Sequence, residues 1–467
     1  MNKRPILVLL ASNWISMLGA SLVTLAGFSW LFVLPVNMNG RAVDNPYAGL
    51  FLFIAIPLVF FAGLALIPIG IALARRKVME NLNALEDRRL AWRRVGIFFG
   101  VMTLANLLIA SQVSYRAVKH MDTVQFCGQT CHVMKPEFTA HGALPPHQAV
   151  ACAECHIDPG AAGWLKAKMN GTNQMFAVMF NTFPRPIESA MENNKLVSSA
   201  DTCEQCHARD KPIAPRLRVI PSYKDDEANT RTTTVLLMRV AAVHAAHLGP
   251  GIRIRYAAAD DKRQTIPWVE YSNTQTSVSR SYLAGDTTTD SVRVLPTFEM
   301  QCVDCHNRAS HAFEVPDRAI NLAMALGQIP PSLPFVKKEA VELLKASYLS
   351  SDEAAQKIPA ALSTFYKKYP DAMIKQGAAI WTTGRTVMAI YQRNVFPDLK
   401  VTWGTYPNNL GHTDNPGCFR CHDASHMTPD NKATIEQDCN ACHQLVATDE
   451  GSPDILKTLE LTPTENH

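Results

Sequence analysis

All twelve cysteines of this chain fall in six pairs, and each pair is followed at once by a histidine. The sets are Cys127/Cys131 with His132, Cys152/Cys155 with His156, Cys203/Cys206 with His207, Cys302/Cys305 with His306, Cys418/Cys421 with His422, and Cys439/Cys442 with His443. Five are C-x-x-C-H and the first is C-x-x-x-C-H. Two thiols one helical turn apart can form thioethers with the two vinyl groups of a haem, and the adjoining imidazole then meets the iron. Zinc sites and disulfide frameworks also use cysteine pairs, but neither requires histidine directly after every one. The repeat therefore predicts six covalently attached c-type haems.

Six irons need six second ligands. Of fifteen histidines, nine stand outside the motifs: His120, His141, His147, His244, His247, His311, His412, His426 and His467. His147, His311, His412 and His426 lie in turn-rich stretches close to a motif and are expected to ligate. His244 and His247 share one segment and compete for one role, with His247 preferred. Met134, two residues past His132, is the candidate at the first iron, where a thioether raises the potential relative to a second imidazole. His120, His141 and His467 read as ordinary histidines. Which ligand serves which iron does not follow from spacing.

The elements that must carry these groups begin with a membrane anchor. No charged residue lies between Arg4 and Arg41 or between Asp44 and Arg75. Uncharged cores predict three transmembrane helices near 13–35, 47–74 and 95–115, each meeting the requirement of about 20 residues. The first is expected to be an uncleaved anchor, since its apolar region is longer than that of a signal peptide. Lys3 and Arg4 precede the first helix, and Arg75, Arg76, Lys77, Arg88, Arg89, Arg93 and Arg94 follow the second. Basic loops stay in the cytoplasm, so the third helix is expected to deliver the haem region to the periplasmic side. Haem attachment of this type belongs to the same compartment. The segment 75–94 reads equally as a short helix on the inner leaflet or as a solvated loop.

Beyond the anchor, the fold expected is a mostly α or irregular multihaem domain with a small β insertion. Its parts are an anchor at 1–120, a module with motifs one to three at 121–210, a β-rich insertion at 211–301, and motifs four to six with a helical insertion at 302–467. Strand-like runs fall at 232–240, 252–256, 265–271 and 292–295. Helical periodicity runs over 333–349, 351–366 and 371–395, with Pro359 expected to break or kink the middle helix. So many haems in so short a chain leave little apolar side-chain core to expect. The net charge of +4, with no basic stripe interleaved with aromatics, argues against a nucleic-acid partner.

Several runs resemble the NapC/NirT/NrfH family of membrane-anchored quinol dehydrogenases: the third helix through Cys127–Met134, Pro145-Pro146-His147 through Cys152, Cys155 and His156 to Pro159-Gly160, and Lys166-Ala-Lys168. The longer pattern is similar to the ImcH-like inner-membrane branch. It includes Phe183-Pro-Arg-Pro-Ile187, Cys302 through His306 to His311, and Val401 through Pro407 and His412 to His426. The resemblance implies oxidation of a membrane quinol (menaquinol first) at the first haem, with electrons passed along the haems to periplasmic cytochromes or a reductase. It implies that Met134 lies beside the first haem, His147 is a distal ligand and Lys166 lines the quinol pocket. Three departures stand out: the longer first motif, three anchoring helices instead of one, and Asn173 where some members carry an acidic residue. Asp122, Glu137 and Asp158 then become the candidate proton acceptors.

Two other readings compete. A terminal reductase needs an open iron in a polar pocket, and the spare histidines are numerous enough to fill every iron. A redox sensor would be expected to carry a cytoplasmic output domain, for which the only sizeable cytoplasmic piece is the loop after Arg75.

Overall fold

A computed structural model describes residues 13–38, 56–81, 85–130, 132–143, 147–192, 196–208 and 213–461. The chain divides into two compact units, Met1–Phe126 and Cys127–His467.

The first unit holds α1 (Trp14–Met38), α2 (Ile56–Asn81) and α3 (Leu85–Met121). Glycines let α1 and α2 approach to backbone contact. A Cβ added at Gly19 would lie 2.6 Å from the Gly63 carbonyl oxygen, and one at Gly63 would lie 2.8 Å from that of Gly19. Helices in an apolar solvent gain nothing hydrophobic by meeting, so close packing and interhelical hydrogen bonds must join them. Ser16 supplies one, donating from Oγ to the Ile67 carbonyl at 2.9 Å. Leu58, Phe61 and Leu73 of α2 and Ile97, Leu104 and Leu107 of α3 point outward. Among the described residues, Ile56–Ala74 alone is long and apolar enough to cross a bilayer, with shorter apolar stretches at Trp14–Gly27 and Gly96–Leu108. The segment 75–94 is neither a separate helix nor a loop. Helix α2 continues through Arg75, Arg76 and Lys77, and α3 begins ten residues before the expected 95, with only 82–84 outside the described residues.

The second unit starts with α4 (Lys135–Ala143) and α5 (Gly160–Met179). A hairpin follows, β1 (Arg216–Tyr223) with β2 (Arg231–Met238), and then α6 (Val240–Leu248). Next come β3 (Ile252–Ala257), β4 (Trp268–Asn273), β5 (Val278–Ala284) and β6 (Thr297–Glu299). Four helices form the body of the unit: α7 (Pro316–Ala325), α8 (Val336–Lys345), α9 (Ser351–Tyr366) and α10 (Pro370–Asn394). Strands β7 (His426–Met427) and β8 (His443–Glu450) close the chain. The sheets run β1-β2-β8 and β6-β3-β4-β5-β7, so strands reach well past 301 into the C-terminal region. No strand forms at 292–295.

The small side-chain core expected from the sequence is corrected here. Helices α7–α10 bury Ile320, Leu333, Leu344, Ile358, Leu362, Tyr366, Val387 and Ile390 in one cluster. Helix α9 starts where Ser350 Oγ accepts from the Glu353 N–H at 3.1 Å, and it runs through Pro359. Gly384 of α10 admits that proline: a Cβ there would sit 3.1 Å from Pro359 Cα. Asn229, at the tip of the β1–β2 hairpin, ties the sheet to this core. Its side chain donates to the Leu333 carbonyl at 2.8 Å and accepts from the Lys337 N–H at 3.0 Å.

Candidate haem ligands and their pairing

The motifs from the second to the sixth each form a single helical turn, at Cys152–His156, Cys203–Gln205, Cys302–Cys305, Gly417–Arg420 and Cys439–Cys442. In three of them the histidine N–H donates back to the first cysteine carbonyl: His207 to Cys203 at 2.8 Å, His306 to Cys302 at 2.8 Å and His422 to Cys418 at 3.0 Å. This bond closes the turn and fixes the direction in which the imidazole leaves it. Cys131 lies outside the described residues, as do the His132 side chain and His467.

Each of these five motif histidines faces one histidine from elsewhere. Ring centroids are 6.1 Å apart for His156 and His311, 6.1 Å for His207 and His147, and 6.2 Å for His306 and His244. They are 5.8 Å apart for His422 and His247 and 6.1 Å for His443 and His412. An iron between two imidazole nitrogens, at about 2 Å from each, puts the ring centroids about 6 Å apart. The residues present therefore fit bis-histidine haem at five motifs. Their electrostatics agree, because a ligating imidazole must be neutral. Desolvation and the Arg308 guanidinium push His311 down to about 3, and desolvation lowers His156, His247 and His306 as well.

Two sequence expectations are corrected. His426 faces no motif histidine. It is 1% exposed, with Nδ1 on Asp423 Oδ1 at 2.9 Å and Nε2 on the Ile266 carbonyl at 2.7 Å, so no ring nitrogen is left for a metal. His244 and His247 do not compete, because α6 presents the first to His306 and the second to His422. Their separation of three residues, which puts them on one helix face, was the available signal. His141, read as ordinary, is buried with Nδ1 3.3 Å from Ser310 Oγ. His120 stands edge-on to Phe126 at 5.4 Å. Met134 is half-buried in the turn His132–Met134.

The three expected proton-handling residues lie in different settings. Lys166 is exposed on α5, a helix whose Trp164, Leu165, Met169, Phe176 and Met179 are exposed too. Glu137 of α4 turns inward, 3.8 Å from Arg308. Burial raises its carboxyl despite that guanidinium, and its Oε2 has no hydrogen-bond partner. Asp122 belongs to the first unit, just past α3. Arg308 itself is buried, donates from Nη1 to His311 Nδ1 at 3.2 Å and lies over the Tyr406 ring at 4.3 Å.

Helical C-x-x-C-H turns, each facing a neutral second histidine, define a c-type cytochrome. Comparison with known proteins places the chain within that class. It is 36% identical over 460 residues to the cytochrome c-type protein ImcH of Geobacter sulfurreducens, covering 93% of this chain and 88% of that one. The chain belongs to the ImcH family of cytochromes. No family model matches it, and no solved structure does.

Proposed function

We propose that the chain is a membrane-bound hexahaem cytochrome that oxidises quinol, menaquinol first, beside its first motif and delivers the electrons to a periplasmic cytochrome or reductase. The observation that carries this reading is the set of five facing histidine pairs. Two nitrogens per iron leave no coordination position for a substrate at those five motifs, which favours electron carriage over a terminal reductase.

The bound haems supply one-electron redox chemistry, with potentials that axial ligands and burial tune. The chain's residues do the rest. Helices α1–α3 are read as three membrane spans, with the basic ends of α2 and α3 on the cytoplasmic side. Only Asp122–Phe126 separate the end of α3 from Cys127, so the first motif is held near the membrane by chain length alone. The exposed apolar side chains of α5 suit contact with lipid or with the ring and tail of a quinol, and Lys166 on that helix can hydrogen-bond a quinol oxygen. Two protons leave with each quinol oxidised. Glu137 and Asp122 are the carboxylates nearest the motif in sequence that can take them, and Glu137's raised affinity for a proton suits it to the task.

The test is reduction of the purified, air-oxidised protein by a menaquinol analogue, followed at the haem α-band. Lys166→Ala and Met134→Ala should each slow it at least tenfold while leaving dithionite reduction complete. Failure of every quinol to reduce a protein that dithionite reduces fully would reject the reading and point to a soluble electron donor.

A further inference from the structure

Consecutive motifs touch one another, each through different groups. Between the first and second, the Cys152 thiol is hydrogen-bonded with Cys127 and drawn down to about 7. Between the second and third, Cys155 lies close enough to Cys203 and Cys206 for their charges to raise its thiol, after desolvation. The third and fourth meet twice. Cys203 is hydrogen-bonded with Cys302, and the Ser199 N–H donates to Gln301 Oε1 at 2.9 Å.

The fourth and fifth are bolted together by Arg420, which sits inside the fifth motif. It donates to the Asp304 carbonyl inside the fourth motif at 2.6 Å and to the Arg263 carbonyl at 2.8 Å. Asp304 is itself held by the Tyr256 hydroxyl and by Arg263. Helix α6 spans the same junction, since its two histidines face His306 and His422. Between the fifth and sixth, the Phe419 ring inside the fifth motif stacks on His412 at 4.2 Å, and His412 faces His443.

The cysteine sulfurs become part of the haem periphery once thioethers form. Motifs whose sulfurs or ligand rings touch therefore bring two macrocycle edges together. We propose that the six motifs form one unbranched electron relay in chain order, entered at the first and left at the sixth, with the fourth as an obligatory middle step. Each hop moves one electron, oxidising one ferrous iron and reducing the next ferric one, with no proton or bond change. The proposal rests on the motifs carrying haem, as read above, and not on quinol as the donor.

The test injects electrons at the sixth motif. A ruthenium photoreductant is attached to Leu445→Cys, an exposed position just past His443, in the full-length protein and in a Cys302→Ala/Cys305→Ala variant. In the parent, a flash followed by repeated turnover should spread reduction to all the haems. In the variant, the fifth and sixth should reduce as before and the first three at least tenfold more slowly, while dithionite reduces everything present. Equal rates for the first three in both proteins would overturn the proposal by revealing a bypass. Should the double variant fail to fold, His244→Met keeps every thioether and alters only the fourth iron. Passage from the fifth to the third should then slow at least tenfold, and an unchanged rate would again overturn the relay. No quinol is used, so failure here and failure of the quinol reading are separate results.

Discussion

At the scale of single residues, orientation decides what a histidine does. The motif histidines were legible in the sequence because a three-residue turn fixes them locally. Their partners were not, because His311 and His156, or His412 and His443, meet only through the tertiary fold. Nearness to a motif misled at His426, whose two ring nitrogens are spent on Asp423 and Ile266. His426→Ala should therefore leave every haem low-spin and cost about 1–3 kcal/mol, the range for orphaning buried polar groups, measured by thermal unfolding. His244→Ala should instead turn one haem high-spin in electron paramagnetic resonance; an unaltered spectrum would remove His244 from the ligand set. Arg308 sets a second residue-scale expectation. Its buried positive charge beside His311 favours the less charged ferrous iron. Arg308→Gln should lower one midpoint potential in a redox titration, by about 59 mV for each 1.4 kcal/mol lost. It should also destabilise the fold by about 3 kcal/mol, because Glu137 loses its partner.

At the scale of elements, the sequence was read best where caps and periodicity agreed. Helix α9 was expected at 351–366 and spans Ser351–Tyr366, since Ser350 caps it and its apolar positions repeat. Pro359 was misjudged because a glycine on the neighbouring helix makes room for its ring. Strands β1 and β8 were missed because their strongest pairing is with β2, and nothing local announces that Met238 will register with His443. Lys337 supplies an element-scale prediction. Burial alone would lower its ammonium, but Asp225 at 2.8 Å and Asp317 at 2.6 Å raise it above the usual 10.5. A raised lysine stabilises fully below its unfolded value and loses that contribution as pH climbs through the folded one. Thermal stability should fall above about pH 10.5 in the parent and should lack that step in Lys337→Met. In the anchor, Gly63→Val would drive a branched side chain into the α1 backbone. It should lower the melting temperature in detergent, whereas the outward-facing Leu58→Val should not.

At the scale of the molecule, two kinds of interior share one chain. The cluster of α7–α10 is packed from side chains and stands without any cofactor. Residues 127–208 bury only Val133, Ala140, Met191 and Val197 among the described hydrophobics, so their folding must lean on the haems. Protein made without haem attachment should thus yield a protease-resistant fragment covering roughly 316–403 and lose 127–208 first, as mass spectrometry of a timed digest would show. Survival of 127–208 in that digest would refute the division. Composition made the cofactor plain but hid this split, because apolar residues count the same whether they meet each other or a porphyrin.

The pairing also carries a timetable. Synthesis and export run from the N-terminus, and four of the five described motif histidines find their mates upstream: His207 with His147, His306 with His244, His422 with His247 and His443 with His412. His156 alone depends on a residue still to come, His311, which emerges only after the fourth motif. Throughout that interval the second haem is five-coordinate. A nascent chain arrested before position 311 should bind carbon monoxide at that iron, and the finished protein should shut it out.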